Sequence, residues 1–316
     1  TIALEDSLTY DITAWNLFQL NGIKAYGVNE NVFAEVKDHE GELLLNLDTT
    51  PHVAYIVTPK VPSETQKIIH SAIQVGALVT FSDVQNGAMI ISFANVKNED
   101  RIRFLSNMEK RNIGFNTLDS YRSKTSFDLG STHYKPIFIP KIAVVVDPAN
   151  DVNQQGELAY FLTQKYGLKP SFIPSTQLFK SNLFNYTHII YPDGKHSTLS
   201  NTNSILLTDW VKKGGKLILM EGARKIMDDK DLVAKEDSAK HTSTYAMRER
   251  AELSNTTSGN MLQVEVEKTH PLAFRINDSS IYILNQVSDF VKLPKDFTPV
   301  LKTSAKPNIL GFVGAN

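Results

Sequence analysis

The sequence predicts an α/β protein in two lobes, and three patterns carry that reading. Continuous apolar runs at residues 53–57, 142–146 and 217–219 have the composition of strands covered on both faces. Helical periodicities stand between such runs, and strands alternating with helices of this length favour a mainly parallel sheet with right-handed crossovers and flanking helices, expected here for the second lobe. Residues 119–140 are polar, carry Gly130, Pro136 and Pro140, and hold no sustained period, so they read as the connection between lobes. The expected division is a smaller α/β lobe with an N-terminal helix and a β-hairpin at residues 1–135, and an α/β domain at residues 136–316. A chain of 316 residues is long enough for each lobe to bury its own core.

In the first lobe, Ile12, Trp15 and Phe18 fall at helical spacing behind Asp11, a good N-cap, so a short amphipathic helix is expected to end near Asn21-Gly22 with its aromatic face in the core. Val32, Ala34, Val36 and then Leu43, Leu45, Leu47 alternate on either side of Asp38-His39-Glu40-Gly41, which is the period of a hairpin. After the strand at residues 53–57, Ser63 is placed to cap a helix carrying Ile68, Ile69, Ala72 and Ile73. Residues 77–81 and 87–93 are two further buried runs. Asn98 opens a helix with Glu99 and Asp100 in its first turn and Lys110 and Arg111 in its last, each sign favourable to the helix dipole.

The second lobe alternates regularly. Residues 142–146 form a strand; Leu158, Phe161, Leu162 and Tyr166 mark one helix face ending at Gly167; residues 171–173 and 187–191 are strands. Ser200 caps a helix carrying Leu206, Leu207, Trp210 and Val211, followed by a strand at residues 217–219 that is expected to be buried. Residues 227–260 are markedly polar and read as a lid, insertion or mobile loop. Strand alternation resumes at residues 262–266 and 281–284, and the apolar end at residues 309–314 suggests a chain that continues past Asn316. A start at Thr1 likewise suggests a processed chain or a fragment.

Composition excludes several classes. A formal net charge of -1 supplies no electrostatic pull toward nucleic acid or anionic membrane, so no nucleic-acid partner and no membrane insertion are expected. No apolar run approaches the roughly 18 residues of a membrane span. Zero cysteines excludes disulfides, thiolate catalysis and Cys-ligated zinc.

Candidate chemistry gathers at the carboxyl ends of the second lobe's strands, where open parallel sheets bind ligands. Those ends present Asp147, Asp193 with Gly194, and Glu221 with Gly222. Three acids on one edge could coordinate a hard cation or hold a cationic ligand, and Glu221 or Asp193 could serve a hydrolase as general base. The alternative is that Asp and Gly follow strands because they make turns and cap helices. The stretch from Trp210 to Ile226 has the order helix end, glycine stop, strand, sharp turn, helix, the place where many α/β hydrolases put a nucleophile. Glu221 stands there, where acyl transfer needs Ser or Cys. Gly214-Gly215-Lys216 has no glycine five residues before Gly215, so it reads as a helix C-cap and not a phosphate loop.

His39-Glu40-Gly41-Glu42 spells H-x-x-E, the pair by which zinc carboxypeptidases hold their metal, with His133 or His188 available as a third ligand. Its place on a polar hairpin tip argues against a catalytic zinc, which needs a shaped cavity with supporting hydrogen bonds. Arg101, Arg103, Lys110 and Arg111 read as a solvated helix face. The sequence therefore assigns no catalytic, cofactor-binding or metal-ligating residue and leaves Asp147, Asp193, Gly194, Glu221 and Gly222 as candidates for ligand binding.

Four stretches, in collinear order, resemble one family: residues 6–15 (Asp-Ser-Leu-Thr-Tyr-Asp-Ile-Thr-Ala-Trp); Phe127-Asp128-Leu129-Gly130-Ser131; Pro140-Lys141-Ile142-Ala143-Val144-Val145 with Gly156-Glu157; and Asp209-Trp210-Val211-Lys212-Lys213-Gly214-Gly215. They are similar to the region that follows the catalytic domain in large bacterial zinc carboxypeptidases. Asn16-Leu17-Phe18 departs from the serine, leucine and proline usual in that family. The resemblance implies a secreted or periplasmic parent that removes C-terminal residues from peptides with a zinc-bound water. Its zinc ligands and catalytic Glu would lie upstream of Thr1, so zinc belongs to the parent's catalytic domain and no cofactor to this chain. It also implies that the second lobe is flavodoxin-like, of the class I glutamine amidotransferase type without its cysteine. Expected partners are the chain's own upstream catalytic domain and a peptide or saccharide ligand. The alternative is an independent module that binds a small ligand or metal through the strand-end acids.

Overall fold

The computed structural model describes residues 16–20, 50–57, 62–82, 88–111, 113–123, 127–147, 152–194, 196–197, 199–227, 235–236, 259–273, 278–285, 291–292, 297–304 and 306–311, with single positions at 23, 27, 29 and 276. In chain order the elements are α1 (Leu17–Leu20), β1 (Ala54–Val57), α2 (Pro62–Gln74), β2 (Leu78–Ser82), β3 (Met89–Ser92), α3 (Asn98–Lys110), β4 (Phe115–Leu118) and β5 (Tyr134–Pro136). They continue as β6 (Ile142–Val146), α4 (Val152–Tyr160), β7 (Ser171–Pro174), α5 (Ser175–Leu178), β8 (His188–Tyr191), α6 (Asn201–Lys212), β9 (Lys216–Leu219), β10 (Lys235–Glu236), β11 (Asn260–Val266), β12 (Ser280–Asn285), β13 (Val291–Lys292), β14 (Leu301–Thr303) and β15 (Ile309–Leu310). Two compact units result: His39–Lys230, and Thr1–Asp38 together with Asp231–Asn316.

The larger unit holds two sheets of different kind. The first is antiparallel, in the order β4-β1-β3-β2-β5. With α2 between β1 and β2 and α3 between β3 and β4, its first four strands have the βαββαβ connectivity of a split β-α-β, or ferredoxin-like, layer. Register explains the core. Tyr55 lies opposite Ile91, Val57 opposite Met89, and Val79 opposite Ile91, so these side chains share one face. That face packs on Ile68, Ile69 and Ala72 of α2 and Phe104, Leu105 and Met108 of α3, all buried. Burying each side chain of this size contributes about 2 kcal/mol. On the other face Ala54, Ile90 and Tyr134 form a second buried cluster, against which Val53, Leu118 and Leu129 pack.

This sheet corrects the reading of residues 119–140 as a connection. Tyr134–Pro136 is a strand paired with β2, and Pro136 is tolerated because β5 is an edge among the described residues. Two further expectations change. α2 begins at Pro62, whose missing N–H suits a first helical position, so Ser63 lies inside the helix and not before it. Leu78, expected in a buried run, is 57% exposed at the start of β2.

The second sheet is parallel throughout, in the order β7-β6-β8-β9. This 2-1-3-4 arrangement is flavodoxin-like, and its strand order reverses between β6 and β8. Gly167 ends the helical segment at φ +67, and a π turn at Phe161–Lys165 lies just before it. The π turn shifts Phe161 off the buried face, so it is half-exposed with its ring 4.7 Å from that of Tyr166. Leu162 and Leu168 take the core positions beside Ile142, Val144 and Ile190.

On α6, Ser200 accepts the Asn203 N–H at 3.3 Å, as a cap should. Leu207 and Trp210 are buried, whereas Leu206 and Val211, expected on the same apolar face, are exposed. β9 differs as well. It is an edge strand among the described residues, with alternate side chains exposed, and not a buried strand.

The smaller unit contains an antiparallel sheet, β12-β11-β14, with β15 also pairing with β11, and a separate β10–β13 pair. β11, β12, β14 and β15 thus form a sheet of their own, while β13 pairs with β10. Asn16 Oδ1 accepts the Gln19 N–H at 3.2 Å at the start of α1. Phe18, expected in the core, is 57% exposed. Asp11, Ile12, Trp15, the predicted hairpin with His39 and Glu42, most of residues 227–260 and the end at residues 312–316 lie outside the described residues.

Candidate strand-end site

Two glycines and a tryptophan set the turn into β9. Gly214 adopts φ +101, a conformation that favours glycine, and ends α6. Gly215 lies under the Trp210 indole so closely that a Cβ would come within 2.3 Å of the ring. The Trp210 Nε1–H donates to the Tyr186 carbonyl at 3.2 Å, which fixes the ring over that glycine. β9 then pairs with β8, and the ladder runs one residue further through Met220 N–H to the Tyr191 carbonyl at 3.0 Å.

At the end of that ladder stands Glu221, with φ +40, the sole non-glycine residue at positive φ among the described residues. Such a backbone conformation costs about 1–3 kcal/mol and is held by its surroundings. Those surroundings are visible. Gly222 N–H donates to Asp193 Oδ1 at 2.7 Å, Ala223 N–H donates to the Met220 carbonyl at 2.9 Å, and the 3-10 helix Glu221–Met227 that begins here buries its Ala223 and Ile226. A Cβ on Gly222 would meet Asp193 Oδ1 at 2.9 Å and the Gly194 carbonyl at 3.3 Å. Partial burial, together with the Asp193 carboxylate, pushes the Glu221 carboxyl above its ordinary value.

The structure thus brings together Asp193, Gly194, Glu221 and Gly222 and sends Asp147 elsewhere. Asp147, at the end of β6, accepts the Ser175 hydroxyl on Oδ2 at 3.1 Å and the Gln155 amide on its carbonyl at 2.9 Å, turning toward α5 and α4. Among the described residues, no three His, Asp or Glu side chains gather closely enough to hold a metal ion. The two histidines proposed as third ligands are used locally. His133 stacks on Phe127 with ring centres 3.7 Å apart, and His188 Nδ1 lies 2.8 Å from the Thr187 hydroxyl.

The order strand, strained residue, helical turn matches that of a nucleophile turn, while both chemical positions are filled differently. In such a turn the strained residue carries the nucleophile, and the N–H of the next residue helps stabilise the oxyanion. Here the strained residue carries a carboxylate, and the next N–H is occupied by Asp193.

Sequence reasoning missed a polar cluster in the antiparallel lobe. Arg101, expected on a solvated face, is 3% exposed; its guanidinium donates to Asn98 Oδ1, the Thr50 carbonyl and the Tyr55 hydroxyl at 2.6–3.2 Å. The Asn98–Arg101 spacing of three on a helix is the signal that could have paired them. Nearby, His52 Nδ1 lies 2.5 Å from Asp119 Oδ1, joining residues 67 positions apart. No local pattern announces that contact.

No family model and no curated protein matches this chain. A glutamine amidotransferase from Thermotoga maritima is a solved structure with partial similarity: 12% identity, a TM-score of 0.34, and coverage of 57% of this chain and 74% of that one. Among the described residues, no helix is long and apolar enough to cross a membrane.

Proposed function

We propose that this chain is the non-catalytic accessory region of a secreted zinc carboxypeptidase-like protein, docking on that protein's own upstream catalytic domain. The observation that carries the non-catalytic part is the turn at Glu221: a carboxylate stands in the nucleophile's place, and the Asp193 carboxylate occupies the Gly222 N–H. The link to zinc carboxypeptidases rests on the four collinear stretches between residues 6 and 215. Elemental analysis of the purified chain together with a carboxypeptidase assay tests the reading. Sub-stoichiometric zinc and no release of C-terminal residues are expected; stoichiometric metal with turnover would sink it.

A second reading is favoured by one observation, the exposed Glu221 carboxyl held beside Asp193 on a strained turn. Under it the strand ends form an independent site for a small cationic ligand or a metal. Glu221→Gln should then weaken such binding, and titrations identical to those of the unaltered chain would count against it.

A further inference from the structure

The smaller unit carries a polar depression on the face of its main sheet. In β11, Gln263 lies opposite Tyr282 of β12, and Glu265 lies opposite Ser280 of β12 and Lys302 of β14. Side chains two apart on a strand share a face, so Gln263 and Glu265 stand side by side. The pairing of Val264 with Thr303 carries Ser304 to a place beside Gln263. Small serines therefore flank the two long polar side chains on one diagonal, with Tyr282 and Lys302 on the other. This arrangement leaves a hollow of about 510 Å³, lined by Gln263, Glu265, Ser279, Ser280 and Ser304 with Val264 and Val266. Pockets that hold small ligands run from about 300 to 1,000 Å³.

The groups in the hollow are open for recognition. The Gln263 amide donates to Ser280 Oγ at 3.0 Å, which steadies its side chain. Glu265 and the hydroxyls of Ser279 and Ser304 make no side-chain hydrogen bond among the described residues. A carboxylate only accepts, while hydroxyls both donate and accept, so this set matches a ligand rich in neighbouring hydroxyls. An anion would face the Glu265 carboxylate, and an apolar ligand would bury these groups unpaired. A cation is opposed by Lys302, which stands opposite Glu265 in register with its ammonium 3.8 Å from Glu267. Beyond the lining, on the neighbouring position of β12, the Tyr282 hydroxyl accepts from the Asn308 amide at 2.8 Å.

We propose that this hollow on the β11–β12–β14 face binds a neutral sugar unit of a saccharide. It uses none of the residues of the strand-end turn, so its failure leaves the accessory reading standing, and the failure of that reading leaves this site intact. Titrating the full chain with maltotriose, cellotriose and chitotriose to about 10 mM, followed calorimetrically and by amide NMR shifts, tests it. At least one trisaccharide should bind with a Kd on the order of 1 mM or tighter. Gln263→Ala should weaken that binding about tenfold, a loss of about 1.4 kcal/mol, and Ser304→Trp, which fills the hollow, should abolish it. Should Ser304→Trp fail to fold, judged by circular dichroism, Glu265→Ala replaces it with a like loss expected. No binding of any of the three sugars, binding unchanged by the variants, or binding of spermidine in their place would overturn the proposal.

Discussion

At the scale of single residues, Glu221 and Gly215 are the positions where backbone and side chain conflict most directly with residue type. Replacing Glu221 by Gly removes the positive-φ strain, and although Gly adds unfolded-state entropy, a net gain of about 1 kcal/mol is expected in urea unfolding. Glu221→Gln tests the electrostatics instead. Because the folded-state value lies above the ordinary 4.5, the stability tied to the neutral carboxyl is complete below that pH and is lost as pH rises through the raised value. The unaltered chain should therefore lose stability relative to Glu221→Gln across that window, and a pH-independent difference between their thermal midpoints would contradict this. Gly215→Ala is the severe case: its Cβ would overlap the Trp210 indole at 2.3 Å, and a cost of about 3 kcal/mol is expected from overpacking.

At the scale of elements, edge positions explain both the surprises and a pH effect. His188 begins β8 directly opposite Lys216 of β9, and burial together with that ammonium holds the imidazole below its ordinary value. A depressed value means that stability is present above the ordinary 6.5 and is lost as pH falls through the folded value. His188→Gln should flatten the fall in thermal midpoint below neutrality; an equal fall in both proteins would refute it. In α3, Arg101→Met should cost about 3 kcal/mol, because the Thr50 carbonyl, the Tyr55 hydroxyl and Asn98 lose a buried charged donor together. The strands of the parallel sheet were legible because residues 142–145 form a buried, Val-rich run that needs no partner to be recognised. β4 and β5 were not, since Phe115-Asn116-Thr117-Leu118 is half polar and Tyr134-Lys135-Pro136 ends in a residue that propensity excludes from strands. The same blindness applies to β9, whose apolar sequence reads as interior although its neighbours put it on an edge.

At the scale of the whole molecule, the unit from 39 to 230 joins a split β-α-β layer and a flavodoxin-like sheet, each with its own buried cluster. A fragment spanning residues 39–230 should therefore fold alone. It contains Trp210 and not Trp15, so its single buried indole reports unfolding by fluorescence, and one cooperative urea transition is expected. A red-shifted, non-cooperative spectrum in buffer would show that it needs the rest of the chain. The candidate site was legible as a set of strand ends, because acids and glycines at those places are visible in one dimension. Its grouping was not: whether Asp193 meets Glu221's turn and Asp147 meets Ser175 depends on strand order, which no local pattern encodes.

The hydrogen bond from Gly222 to Asp193 also bears on what it would take to build a nucleophile into this turn. Ser or Cys at position 221 would stand in a turn whose next N–H is already engaged by Asp193, so no oxyanion donor would be free there. Removing the Asp193 carboxylate first would loosen the turn while Glu221 still stood there. Placing a nucleophile beside a free donor in this turn would therefore take two substitutions together, one at 193 and one at 221.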